Sequence, residues 1–494
     1  MTAAVAGTPD EAVPDEERWD AVVVGAGVGG LVAARDLALA GLRVLVLDGR
    51  DAPGGAVRSH EVAGLRLDAG AESFATRGGA VAALVGELGM AHDLCTPAPR
   101  GSWVHLVGGD GPLPATGLLG IPTDPGAGDV RRTLGLVGSW RARLDGVLPA
   151  RVGADATTLG ALVRARMGAR VLDRLVRPLV GGVHAADPDQ LAVDVVAPGL
   201  RAALAQHGTL GRAVGALRAA APAGSAVQGL SGGLWRLVDA LVADVRAHGG
   251  EVRVRSAVTG LAAVGPAAGA QPGGGDDELR GFVVRTAHDE VRADRVLLAT
   301  AAAVPLLAEL TGADPGAMRT DDGTPVTLVT LVLDGVTALD SAPRGTGVLV
   351  APDATDVTAK ALTHATAKWE WLAAAAGPGR HVVRLSFGRA EDDAATLPSG
   401  DALMRLALSD AAALLGTPLP ADRLVGHDVV RWTQALPRPS AAHRDAVAAV
   451  RDAVGRVPGL ALAGAWVSGN GLASVVPQAR SAAAELLGAL SPRS

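Results

Sequence analysis

The stretch that decides the fold is VVVGAGVGGLVAARDLALAGLRVLVLD, residues 22–48. The apolar run 20–24 reads as a strand. A glycine-rich turn follows, then a helix to about Leu39 with Gly41 as its stop, then a second strand at 43–47. Gly25-Ala26-Gly27-Val28-Gly29-Gly30 fits G-x-G-x-x-G at the strand–helix junction. Gly25 permits the tight turn, Gly27 lets backbone approach a pyrophosphate, and Gly30 lets the helix pack close to the sheet. The helix N-terminus offers free N–H groups and a partial positive charge to phosphates. Asp48 ends the second strand, about 20 residues on, where an acid accepts ribose hydroxyls. In this strand–turn–helix–strand–acid setting the pattern points to a bound dinucleotide.

A second glycine pair follows the acid closely, in Gly54-Gly55-Ala56-Val57-Arg58-Ser59, and leads to Leu67-Asp68-Ala69-Gly70-Ala71. NAD does not need that pair. Near the other end, residues 464–471 (GAWVSGNG) precede Val475, Val476, Pro477 and a helix. Pro suits a first helical turn, and free N–H groups there would stabilise nearby negative charge. The paired motifs resemble those of the large FAD-containing amine oxidase superfamily. That resemblance implies FAD. It would be held by Gly25, Gly27, Val28, Gly29, Gly30 and Asp48, then by Gly54, Gly55, Ala56, Val57 and Arg58. Val258, Trp432, Gly464, Gly469, Val475 and Val476 complete the expected cradle.

Composition sets the bounds. The 494 residues are 49% hydrophobic and 19% charged, as a folded chain of two or three domains requires. A net charge of −6, with no Lys/Arg run, argues against nucleic-acid binding. The single cysteine, Cys95, permits no internal disulfide, no cysteine-based metal site and no redox dithiol, and reads as a small buried hydrophobe. The eleven histidines show no HExxH spacing, so no metal is expected. The acidic start lacks the apolar core of a secretory signal, and no apolar run reaches the ~18–20 residues of a spanning helix. A cytoplasmic protein is expected, with peripheral membrane contact left open.

The expected fold is α/β with mixed α+β character: a discontinuous Rossmann-like FAD-binding domain with an inserted mixed-sheet substrate domain and a helical domain. Residues 1–17 read as a flexible tail. Residues 18–76, 225–304 and 422–494 are assigned to FAD binding, 78–183 to the helical, membrane-facing candidate, and 184–224 with 305–421 to the substrate domain. The Gly/Pro-rich segment 265–281 reads as a solvent loop. EVRVRSAVTGL, from residue 251, reads as one strand, 292–300 as a buried strand, and 325–335 and 381–388 as strands.

The middle of the chain narrows the resemblance. TTLGALVRARMGARVLDRLVRPLVGGVHAADPDQLAV (157–193) is similar to the protoporphyrinogen/coproporphyrinogen oxidase family, as are GLLGIPTDP (117–125), GLSGGLWRLVDAL (229–241) and LAGAWVSGNGLASVVPQARSAA (462–483). Likeness runs from about Arg18 to the end. The G-I-P-T segment most resembles the coproporphyrinogen III oxidases of Gram-positive and actinobacterial chains. His184 and Ala186 depart from the family's usual Tyr/Phe and Gly. The resemblance implies oxidation of coproporphyrinogen III to coproporphyrin III in haem synthesis. A hydride would pass from a meso carbon to flavin N5 in three two-electron rounds, with O2 as acceptor and H2O2 as product. No protein acid or base is singled out as catalytic, because the cofactor carries the hard step. A ferrochelatase taking the product is a partner the family suggests; oligomeric state stays open.

The resemblance implies substrate contacts at Arg77, whose fork suits a propionate, and at Gly182, read as a glycine of a turn that passes close to the substrate, where a backbone carbonyl meets the pyrrole N–H groups and a bulky side chain would block the approach. Thr346, Gly347, Leu349 and Thr363 fall near the family's substrate-sandwiching segment. Lys368, in Lys368-Trp369-Glu370, reads as solvated strand or turn. Gly229–Gly233 formally gives G-x-S-x-G, but no hydrophobic strand precedes it, so a glycine pair opening a helix is preferred to a nucleophile elbow. The alternatives are a protoporphyrinogen IX oxidase, a flavin amine oxidase, a carotenoid desaturase, and a flavin-binding partner protein that has lost catalysis. An amine oxidase would need an aromatic cage from a chain with no Tyr and 3 Phe.

Overall fold

A computed structural model describes residues 18–149, 151–184, 187–220, 226–264, 281–318, 325–388, 397–433 and 441–488. The expected tail, 1–17, and all but the last residue of the expected loop, 265–281, lie outside them.

The opening motif folds as strand Arg18–Val24, helix Val28–Leu39 and strand Val44–Leu47. The two strands pair in parallel within a seven-stranded sheet, flanked by Glu251–Arg253 and Glu290–Leu298. Leu460–Leu462 also joins in parallel, alongside the second half of Glu290–Leu298. Alternation decides which residues face which core. Ala21, Val23, Val44 and Val46 point to one side, where helices Val28–Leu39, Arg236–Ala247 and Leu472–Gly488 cover them. Val22, Val24, Leu45 and Leu47 point to the other, against Val304–Thr311 and Ala441–Val454. A strand buried on both faces is apolar at every position, and both strands are apolar throughout that span.

A second seven-stranded sheet is mostly antiparallel. It runs Leu424–Trp432, Val326–Asp334, Arg380–Phe387, Ala361–His364, Gly347–Val350, Trp103–Leu106 and Gly109–Pro112. Val329, Leu331, Leu333, Val383, Leu385 and Phe387 form its apolar face under helix Gly400–Leu415. A separate helical layer packs around Leu134, Leu159, Val163, Leu175 and Leu210. This mixed α/β architecture is the expected fold class.

The expected division of the chain changes in three places. Strands Trp103–Leu106 and Gly109–Pro112 leave the helical segment for the second sheet, because Trp103–His105 pair in parallel with Val348–Val350. Strand Leu424–Trp432, assigned to FAD binding, also belongs there, since it lies antiparallel on Val326–Leu333. Helices Leu200–His207 and Leu210–Ala220, assigned to the substrate domain, bury Leu200, Leu204, Leu210 and Val214 in the helical layer. One local reading also fails. EVRVRSAVTGL is two strands, Glu251–Arg253 and Val258–Ala263, because Arg255 between them takes a positive φ of 55° and donates its N–H to the Arg50 carbonyl.

Candidate functional site: a dinucleotide cradle facing a polar sheet

The glycine-rich turn is packed on one side and open on the other. Gly25 holds φ +107°, a conformation that penalises a side chain. A Cβ at Gly30 would overlap the Gly25 carbonyl oxygen, and one at Gly29 would lie 2.9 Å from the Gly464 Cα and 3.1 Å from a Val475 methyl. A Cβ at Gly27 would meet nothing within 4 Å. Gly27 is also the N-cap of helix Val28–Leu39 and supplies no capping side chain. The first-turn amides of Val28, Gly29 and Gly30 lie where a helix offers no internal partner, with no capping side chain and open space beside Gly27, as an anion site at a helix N-terminus requires.

Distant segments close around this opening. Gly54 forms a parallel bridge with Gly27, and its N–H donates to the Ala26 carbonyl at 2.7 Å. Ala56 and Arg58 accept from the N–H groups of Ala71 and Ala69 at 2.9 and 2.8 Å, tying the second glycine pair to the D-x-G segment. Asp48 accepts from the Ala26 and Arg50 N–H groups at 2.7 and 2.8 Å. A carboxylate has further lone pairs for ribose hydroxyls. Gly464 donates to Gln478 Oε1 at 3.2 Å, which fixes the last motif on its helix. Trp432 is buried, its indole N–H donates to the Ala69 carbonyl at 3.2 Å, and the Arg58 guanidinium lies 4.9 Å from its ring. Val258 opens its strand and packs against the second of the two cores flanking the first sheet. Gly469 and Val476 lie on the short turn and the buried first turns of the last helix. A donor set of uncapped amides, an acid and glycine-lined backbone fits a dinucleotide.

Opposite stands the face of the second sheet that is turned away from its apolar core. Gly347 pairs with Thr363, and Thr363 with Arg384, so Gly347, Leu349, Thr363 and Arg384 share this face. A Cβ at Gly182 would lie 2.9 Å from Leu349 Cδ2. The structure thus gathers four of the expected substrate residues. Gly182, however, lies inside helix Arg177–His184, not in a turn: the helical pattern continues through it and buries Val180. Thr346 donates its hydroxyl to the Gly101 carbonyl at 2.9 Å, which leaves it a strand anchor. Arg77 lies apart from that group, at the rim by the last helix, donating to Ser474 Oγ at 3.0 Å. The His184 side chain and Ala186 lie outside the described residues.

The D-x-G segment carries two acids with opposite tasks. Asp68 accepts from the Leu234 and Trp235 N–H groups at 3.0 and 2.9 Å, capping helix Arg236–Ala247 behind the Gly232-Gly233 pair. Burial pushes its carboxyl up to about 6, against those two hydrogen bonds. Glu72 meets Lys368 Nζ at 2.6 Å and Arg384 Nη2 at 3.1 Å. Burial alone would raise its carboxyl, but the charges of Arg384 and Lys368 outweigh that and hold it down at about 2. Arg384 Nη1 also donates to the Gly70 carbonyl at 2.8 Å. Lys368 is therefore no solvated turn residue. It ends helix Ala365–Lys368 and pairs inside, beside the buried Trp369.

The sequence reading missed Glu72, Arg384 and the helix-capping role of Asp68. The spacing of Glu72 after Gly70 was visible, but nothing local joins it to residues 368 and 384. Two smaller expectations also change. Pro477 falls in the second turn of helix Leu472–Gly488, because that helix starts at Leu472. Cys95 is only half-buried, because it stands on the short edge strand Leu94–Cys95. Among the described residues no group of three or more His, Cys, Asp or Glu side chains could hold a metal ion.

The fold and cradle define a flavoprotein oxidoreductase. Residues 28–487 match the flavin containing amine oxidoreductase family, and the chain belongs to it. It is 32% identical to the coproporphyrinogen III oxidase of Mycobacterium bovis, over 95% of this chain and 97% of that protein. It is 29% identical to the coproporphyrinogen III oxidase of Propionibacterium freudenreichii, over 99% and 94% of the two chains. A solved structure from Exiguobacterium sp. 255-15, a candidate protoporphyrinogen oxidase, superposes with a TM-score of 0.77 at 24% identity, covering 96% of this chain and 99% of that one. It shares the fold.

Proposed function

We propose that the protein binds FAD and oxidises coproporphyrinogen III to coproporphyrin III, using O2. The observation that carries this reading is near-full-length similarity to chains named coproporphyrinogen III oxidase, joined to a cradle whose glycines leave room for a dinucleotide. When bound, FAD would supply the two-electron acceptor for each of three oxidation rounds and a route for those electrons to O2, with one H2O2 released per round. The chain's residues do the rest. Val28, Gly29 and Gly30 present amides to the pyrophosphate, and Asp48 takes the ribose hydroxyls. Gly182 and Leu349 leave a smooth wall for a flat macrocycle. Gly347 and Thr363 line the same face, with Thr346 anchoring the strand. Arg77, at the exposed rim, meets a propionate by a two-pronged contact. No side chain need act as a strong base, since each oxidation gains conjugation. The porphyrin product suits a metal-inserting ferrochelatase as its next acceptor.

The test is porphyrin fluorescence growth in air, with FAD-loaded protein, on coproporphyrinogen III and on protoporphyrinogen IX. Faster initial rates on the first are expected. Preference for the second reassigns the substrate, and no growth above autoxidation on either overturns the reading. Arg77→Ala is expected to raise KM about tenfold with kcat little changed, the loss of one charge-assisted contact. An unchanged KM removes Arg77 from the site.

A further inference from the structure

Helix Arg177–His184, which carries Gly182, is not a straight continuation of the chain before it. A single turn of π-helix, Leu172–Val176, separates it from the short helix Ala169–Val171. Such turns are rare, interrupt the regular hydrogen-bond ladder and are places where helices bend. The helix that bears Gly182 therefore needs a second hold on its direction.

Arg177, its first residue, supplies that hold. The guanidinium donates through Nη1 to both carboxylate oxygens of Asp187 and through Nη2 to Asp189 Oδ2 at 2.8 Å, while Nε lies 3.4 Å from Asp173 Oδ1. The Asp187–Asp189 stretch is itself anchored. Asp187 accepts from the Asp189 N–H at 2.8 Å, Asp189 Oδ2 from Arg164 Nη2 at 2.9 Å, and the Pro188 carbonyl from the Gly160 N–H at 2.8 Å. A Cβ at Gly160 would overlap Asp189 Oδ1, so this stretch lies directly on helix Leu159–Met167. That helix buries Leu159, Leu162 and Val163 in the core of the helical layer. Arg177 thus ties the start of the Gly182 helix to a fixed support.

The consequence of these pairs is geometric. Asp173, Asp187 and Asp189 are 53, 41 and 36% exposed, and ion pairs so open to solvent add little to stability. A planar fork held by two carboxylates nevertheless fixes direction as well as distance. Gly182 lies five residues beyond Arg177, where a Cβ would come within 2.9 Å of Leu349 Cδ2. A tilt of the helix about its π turn changes that gap directly. We propose that Arg177 is a positioning residue for the substrate: paired with Asp187 and Asp189, it sets the tilt of helix Arg177–His184 and so the width of the slot between Gly182 and Leu349. The inference rests on the porphyrinogen reading above, since a broad macrocycle is the ligand that fills such a slot.

The experiment is steady-state kinetics on the porphyrinogen that the FAD-loaded parent oxidises faster, with equilibrium titration of coproporphyrin III followed by flavin absorbance. The variants are Arg177→Ala, Arg177→Lys and Asp187→Asn. Arg177→Ala is expected to raise KM and the coproporphyrin III Kd about tenfold, with kcat and bound flavin within about twofold of the parent. Asp187→Asn should act in the same direction. Arg177→Lys keeps the charge but not the fork, and should recover part of the loss. Adding Gly182→Leu to Arg177→Ala should cost less than the product of the two single effects, because both act on one gap. A KM equal to the parent's in Arg177→Ala would overturn the proposal. So would a KM change that comes only with loss of bound flavin and of folded yield in all three variants, the mark of a structural staple. A parent that turns over no porphyrinogen would overturn the functional reading itself, and this inference with it.

Discussion

The two seven-stranded sheets obey the same alternation and put it to different use. In the first, both sets of alternating residues are apolar and each meets its own helical cover. In the second, one set is apolar, while the other includes Thr330, Thr363, Arg384 and Ser386. The first sheet thus serves as a rigid support whose chemistry lies at its strand ends, in the turns. In the function proposed above, the second serves as a working surface whose polar groups lie on its face. A half-buried arginine on a strand signals this role, because such a side chain persists only where partners satisfy it. Arg384 has Glu72 and the Gly70 carbonyl.

The sharpest test of the supporting sheet is at its turn. Gly30→Val would drive a side chain into the Gly25 carbonyl. Loss of flavin absorbance and of folded yield is expected, with at least about 3 kcal/mol lost if any folded protein survives. A yellow, stable Gly30→Val protein would break the account of the turn.

The working surface is tested at Glu72. Glu72→Gln leaves two half-buried cations without their carboxylate, and urea unfolding should show a loss of about 2–4 kcal/mol. Adding Lys368→Met should restore part of it. A loss below about 1 kcal/mol would mean that the ion cluster is incidental to the fold.

Acid should find the second sheet before the first. His364 on this sheet is held down to about 3 by burial, then by the charges of His381 and Arg100. Burial likewise lowers His381, although Asp340 opposes it. The unfolded chain takes up a proton near the ordinary value of 6.5 and the native His364 does not. Stability should therefore fall as pH drops below 6.5 and keep falling towards about 3, by up to about 1.4 kcal/mol per pH unit for each such group. Glu72 adds to the loss as pH falls below 4.5 towards about 2. Asp68 acts in the opposite sense, being most favourable below 3.8 and losing that advantage as pH rises towards about 6. Thermal unfolding across this range should be less steep in His364→Leu than in the parent. Equal slopes would remove His364 as the cause.

The smallest expected effect is at Gly182. Gly182→Leu should raise KM for the porphyrinogen severalfold with little change in melting temperature, because the group it meets is the flexible tip of Leu349. An unchanged KM would take the end of helix Arg177–His184 out of the substrate wall.

How much of this was legible follows the same division. The strand–turn–helix–strand opening was readable to within a residue or two, because its element boundaries follow from its own glycines and apolar runs. Strands Val326–Asp334 and Arg380–Phe387 were visible as alternating runs. Their pairing with Leu424–Trp432 and Ala361–His364 was not, since strand register is set between segments far apart in the chain. The same holds for the ion cluster. Glu72, Lys368 and Arg384 meet only because a turn of the first unit lies on a face of the second. Gly182 and Leu349 illustrate a middle case: each was singled out from its own motif, and the fold supplies the contact between them.

The contact of Gly29 with Gly464 and Val475 has a consequence for how the protein is made. The two halves of the cradle are separated by nearly the whole length of the chain. A ribosome that has produced the first motif has not yet produced the wall against which it packs. Premature termination or loss of the last helix would leave a half-built cradle, so an unfinished chain would carry no redox cofactor. Flavin binding is thereby tied to completed synthesis.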